Sequence, residues 1–244
     1  MSRGINRVSG FDALYNLYYY MSDIVLMDTR VSDPSTLCAE AYIRHIDSSF
    51  DKANANFSRL SPEILKMEGM SGTKTRHFYN NLLLFPDTRY LEVGVWAGSS
   101  TISALYQNSH VKSMVIDNWS EFGGPRDTFI QNVRTFIPEQ IPNLQFIEHD
   151  CFAIDYTTVG KFNIYLYDGG HEEREQYDAV CTMLPAMDDI FILIVDDWIW
   201  NKVQEGTYRG IKDSELEILY QREVLSTDDA TGFWNGVGVF LLKK

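Results

Sequence analysis

From Arg89 to Asp197, short apolar runs alternate with amphipathic stretches, and run after run ends on an acidic residue. Tyr90 to Val95 passes through the turn Gly94-Val95-Trp96-Ala97-Gly98 into Thr101-Ile102-Ser103-Ala104-Leu105. That is a strand, a glycine turn and a helix start, with Ser99 or Ser100 expected as the N-cap. Val111 to Ile116 ends at Asp117, and Leu144 to Ile147 ends at Glu148-His149-Asp150. Phe162 to Tyr167 ends at Asp168, and Ile190 to Val195 ends at Asp196-Asp197. Asp127 to Phe136 and Arg174 to Leu184 carry helical spacing between them. Such alternation predicts an α/β fold: a doubly wound, mostly parallel sheet with helices on both faces.

The flanks differ. Glu217 to Leu225 and Phe233 to Leu242 read as two strands joined by a turn-rich stretch, an antiparallel C-terminal hairpin at the sheet edge that brings the sheet to seven strands. Residues 1–80 carry helix signals and are expected to form an N-terminal helical cap on a sheet domain of residues 81–244. Phe11, Leu14, Tyr15, Leu17, Tyr18 and Met21 recur at helical spacing, and Asp33-Pro34-Ser35-Thr36 and Ser61-Pro62-Glu63 are helix starts. Thr75 to Leu84 continues as helix before Phe85-Pro86-Asp87.

A net charge of -13 argues against a nucleic-acid backbone or an anionic membrane as partner. Three widely spaced cysteines, Cys38, Cys151 and Cys181, fit neither a disulfide framework nor a zinc knuckle, so a reducing cytoplasmic setting is expected. No signal-peptide core follows the N-terminus, and no apolar run approaches the roughly 20 residues of a spanning helix. A homo-oligomer stays open.

In an open α/β sheet, ligands sit outside the carboxyl ends of the strands, so the acidic ends converge on one crevice. A dinucleotide is the first candidate, because Asp117 follows the glycines at a ribose-binding distance. The pyrophosphate loop, however, needs a second glycine where this chain has Trp96, and there is no Walker-type Gly-Lys-Ser/Thr. What remains is a nucleoside without phosphates, carrying a charged tail that the loop backbone holds.

Glu92-x-Gly94-x-x-x-Gly98-x-Ser100 resembles motif I of the class I S-adenosylmethionine-dependent methyltransferases. The resemblance covers roughly residues 70–244. It implies cofactor contacts at Glu92, Gly94, Trp96, Gly98, Ser99 and Ser100. It puts Asp117, with Asn118 and Trp119, on the ribose side and Asp150-Cys151 on the adenine. Asp168 is a further cofactor contact, and Met70 to Gly72 resembles, more weakly, the segment that covers the methionine end. Tyr167-Asp168-Gly169-Gly170-His171-Glu172 and Val195-Asp196-Asp197-Trp198 resemble the divalent-metal-dependent O-methyltransferases of the catechol and macrolide- or aminocoumarin-sugar type. By that likeness Asp168, Asp196 and Asp197 are the metal ligands. Clustered carboxylates need a cation among them, and oxygen ligands suit Mg²⁺ or another hard divalent ion.

His171 stands three residues after Asp168, where catechol methyltransferases carry a lysine base, and is the candidate catalytic base. The sugar-modifying enzymes place an Asp where this chain has Gly170, so His171 as a positioning partner of a ligand carboxylate is the alternative. Trp119 and Phe122, around Gly123-Gly124, are candidates to stack on adenine or substrate, and Trp198 and Trp200 to line a pocket. The expected function is methyl transfer from S-adenosylmethionine to a hydroxyl of a small molecule, a sugar or phenol. The alternatives are a metal-free N- or C-methyltransferase and a non-catalytic cofactor-binding module.

Overall fold

A computed structural model describes residues 34–226 and 229–244, with side chains from residue 39. The periodic stretch Phe11–Met21 lies outside the described residues. The first helices are α1 (Pro34–Asn54), the single turn α2 (Pro62–Leu65) and α3 (Thr73–Leu82). Then β1 (Arg89–Val93), α4 (Ser99–Leu105), β2 (Lys112–Asp117), α5 (Arg126–Phe136), β3 (Leu144–Glu148) and β4 (Phe162–Tyr167) follow. The chain continues through α6 (Glu173–Met183), β5 (Met187–Asp196), α7 (Asn201–Asp213), β6 (Glu217–Val224) and β7 (Val237–Lys243).

All seven strands form one sheet in the order β3-β2-β1-β4-β5-β7-β6. β1 to β5 are parallel, and β7 runs antiparallel between β5 and β6. The C-terminal hairpin is therefore present, with β6 as the sheet edge and β7 inserted inside it. The expected second strand is shorter than the sequence suggested: residues 233–236 are a turn, and pairing begins at Val237. β4 is buried along its whole length, as expected of a parallel strand covered on both faces. Leu91, Tyr165, Leu193 and Phe240 meet Val180 and Met183 of α6 and Val203 and Ile211 of α7 in the main core.

α7 had no signal in the sequence reading, because Gly206 and Gly210 lower helix propensity in its middle. Packing explains both glycines. A Cβ at Gly206 would stand 2.2 Å from the Glu173 carbonyl oxygen, and one at Gly210 2.8 Å from Val180 Cβ. α3 looks polar yet is almost wholly buried. Arg76 donates to the carbonyls of Ile64, Met67 and Ser71, and Asn80 to those of Ser103 and Tyr106. Among the described residues no helix is long and apolar enough to cross a membrane.

Candidate functional site

At the carboxyl ends of β1, β2, β4 and β5 lies a cavity of about 430 Å³. Its first wall is the turn after β1. Gly94 has φ +84° because β4 leaves it no room: a Cβ there would meet the Asp168 carbonyl oxygen at 1.8 Å. Gly98, at φ +94°, is the N-cap of α4 and makes no side-chain cap bond, which corrects the expectation that Ser99 or Ser100 caps this helix. The two hydroxyls act elsewhere: Ser99 Oγ lies 2.9 Å from Ser71 Oγ, and Ser100 Oγ donates to Glu92 at 2.5 Å.

Asp117 organises the turn. Its Oδ2 accepts the N–H groups of Val95 (2.8 Å) and Trp96 (2.9 Å), and its Oδ1 accepts that of Trp119 (2.7 Å). The Trp119 indole then donates to the Trp96 carbonyl, and the Trp96 indole to that of Phe122. A carboxylate offers about four lone-pair directions, so Asp117 keeps roughly one for a ligand hydroxyl. Asp150 accepts from Phe152 N, and Cys151 beside it has its thiol pushed up to about 12, chiefly by burial, which makes it a wall rather than a nucleophile.

The opposite wall is acidic. Asp168 and Asp196 are both held well above the usual carboxylate range, first by loss of water and then by neighbouring carboxylates. Asp196 is buried, and its Oδ1 has no hydrogen-bond partner. Asp197 adopts φ +55°, a left-handed conformation uncommon outside glycine. Its Oδ2 lies 2.7 Å from His171 Nε2, and its Oδ1 accepts from Asn235 Nδ2 at 2.6 Å. Burial lowers the His171 pKa, but the Asp197 hydrogen bond and charge outweigh it, and the net shift is upward. Ligand atoms of Asp168, His171 and Asp197 all lie within 4.8 Å of one another.

An orphaned carboxylate oxygen beside this group fits a divalent cation, and among the described residues no Lys or Arg lines the cavity to take that place. Asp168 and Asp197 would hold the ion; Asp196, expected as the third ligand, stands outside the group of atoms within 4.8 Å, where His171 takes its place.

The candidate contacts Met70, Gly94, Trp96, Ser99, Ser100, Asp117, Asn118 and Trp119 line this cavity. So do Asp150, Cys151, Asp168, His171, Asp196 and Asp197. Glu92 and Gly98 do not. Glu92 is sealed beneath the turn, bonded to Ser100 and Tyr90, and burial pushes it up to about 7. Trp200 lines the cavity and stands edge-on to His171, their ring centroids 4.7 Å apart. Trp198 does not: it is a fully buried core side chain whose indole donates to Glu223, against the expectation of a pocket wall. Ser71, in the segment Met70 to Gly72 expected at the methionine end, lines the cavity too. Sequence reasoning missed Trp234 and Asn235, which fall in a stretch read as strand, although Asn235-Gly236 is itself a turn signal.

No family model matches the chain, and no curated protein matches it. Solved structures do. A proposed O-methyltransferase from Klebsiella pneumoniae aligns over 95% of this chain and 97% of its own, with 12% identity and a TM-score of 0.53. A proposed caffeoyl-CoA O-methyltransferase from Staphylococcus aureus aligns over 96% and 100%, with 11% identity and a TM-score of 0.53. A proposed O-methyltransferase from Nostoc punctiforme PCC 73102 aligns over 83% and 72%, with 12% identity and a TM-score of 0.52. At such identities the likeness is one of backbone architecture: the chain has the seven-stranded α/β fold of these methyltransferases.

Proposed function

We propose that this protein is an S-adenosylmethionine-dependent O-methyltransferase that acts on a hydroxyl of a small molecule with the help of Mg²⁺ or another hard divalent cation. One observation carries the reading. A single cavity joins a glycine turn held by Asp117 to a buried carboxylate group around Asp196, whose Oδ1 has no partner. The cavity size suits a nucleoside-sized ligand. Trp96 at the turn disfavours a pyrophosphate. Asp117 takes a ribose hydroxyl, the wall of Asn118, Trp119, Asp150 and Cys151 takes the adenine, and Met70, Ser71 and Ser99 lie at the methionine end. Glu92 supports the turn from below.

Trp200, Trp234 and His171 face the acceptor, and His171 takes its proton. When bound, the cofactor would supply an electrophilic methyl group, and a cation held by Asp168 and Asp197, with Asp196 beside them, would supply positive charge that lowers the acceptor hydroxyl pKa. The cavity walls would position acceptor and cofactor against each other, and positioning of that kind supplies much of the rate gain. The acceptor is a sugar- or phenol-like molecule rather than a nucleic acid, given the net charge of -13. The free thiols Cys151 and Cys181 suit a reducing cytoplasm.

Isothermal titration with S-adenosylhomocysteine tests the cofactor: binding heat is expected, and none at millimolar ligand would sink the reading. Activity that survives EDTA would remove the metal from it.

A further inference from the structure

We infer that Asn235 is a positioning residue, whose side-chain amide fixes the Asp197 carboxylate in the orientation that receives the divalent cation. The inference rests on the metal reading above. Asn235 Nδ2 donates to Asp197 Oδ1 at 2.6 Å, while Oδ2 of the same carboxylate lies 2.7 Å from His171. Both oxygens are thereby aimed. An amide is a neutral donor, so it orients the group without cancelling the charge that a cation needs, as a Lys or Arg would.

The amide itself is anchored. The Asn235 carbonyl accepts Ile199 N at 2.9 Å, which ties its turn to the segment just after Asp197. Asn235 sits at φ +51°, and Gly236 beside it is hemmed in: a Cβ there would stand 2.4 Å from the Val224 carbonyl oxygen. Upstream, the first turn of α3 holds the loop. Thr73 N donates to the Ala230 carbonyl at 3.1 Å, Lys74 N to that of Gly232 at 3.1 Å, and Trp234 N to Thr75 Oγ1 at 3.3 Å. Helix N–H groups left open by the first turn thus pin the loop on the cavity rim. A residue needed only for the turn would use its backbone, and glycine would serve. The amide is the part that reaches Asp197.

Asn235→Gly separates the two roles, since glycine keeps the positive φ and deletes the donor. The probe is Mn²⁺ alone, titrated into the purified full chain by calorimetry and by the free-ion EPR signal. S-adenosylhomocysteine affinity in EDTA reports on the fold of the same variant. The expected result is Mn²⁺ binding weakened about 10–100-fold, the usual effect of losing a partner of a ligand, with S-adenosylhomocysteine affinity kept within about twofold. Unchanged Mn²⁺ affinity overturns the inference and leaves the metal reading standing. Parallel loss of both affinities also overturns it and assigns Asn235 to the fold. A wild-type chain that binds no Mn²⁺ overturns the metal reading together with the inference.

Discussion

Asp197 keeps a backbone conformation that costs about 1–3 kcal/mol for a residue with a side chain, and such strain concentrates at working sites. Its carboxylate raises the His171 pKa against the downward pull of burial. A base works only when deprotonated, so the rate should climb with pH through the ionisation of His171. In His171→Gln that limb should vanish, with kcat lower by about 10²–10⁴. Asp196→Ala should cost ~100-fold or more in kcat and remove the response to added Mg²⁺. An unchanged rate would make the acidic wall structural. Glu92 allows a separate test. Its folded pKa, raised by burial from 4.5 to about 7, means that the native state holds a proton the unfolded chain has released. Stability therefore falls as pH rises through that window, by about 3 kcal/mol. Glu92→Gln should flatten that slope in urea titrations at successive pH values, and a slope equal to wild type would show Glu92 ionised throughout.

Elements show why some of the molecule was legible. β2, β4 and β5 are buried apolar runs with acidic ends, and β1 is one that runs into the glycine turn, local patterns that mark both strand and crevice. α7 was hidden because Gly206 and Gly210 serve contact with α6 rather than local propensity. Trp198 and Trp200 are two residues apart in sequence, yet one is core and the other rim, a difference made by β7 packing beneath the first: Trp198 meets Phe240 edge-on, their ring centroids 5.3 Å apart. Asn235 was invisible for a related reason, since its partner Asp197 is far away in sequence. Gly206→Ala tests the helix contact. Alanine is the better helix former by about 1 kcal/mol, but the clash with the Glu173 carbonyl should leave a net destabilisation of about 1–3 kcal/mol by urea unfolding. Net stabilisation would mean that α6 and α7 have room to separate.

At the scale of the molecule, ligand binding should register as stability. S-adenosylhomocysteine at about 100 times its Kd should add roughly 2.7 kcal/mol and raise Tm by about 5–10 °C. A Tm that ignores the ligand would place cofactor binding elsewhere. The two walls of the cavity also share a seam. Gly94 presses its backbone on the Asp168 carbonyl, Asp168 N donates to the Val93 carbonyl at 2.9 Å, and Gly94 N donates to that of Ile116 at 3.0 Å. A seam of backbone against backbone has no side chain to swing aside, so the cavity floor cannot gape like a jaw. Traffic is left to the rim, where Met70, Phe122 and Trp200 stand exposed on three separate loops. Residence time of product, and with it the turnover ceiling, becomes a property of those loops.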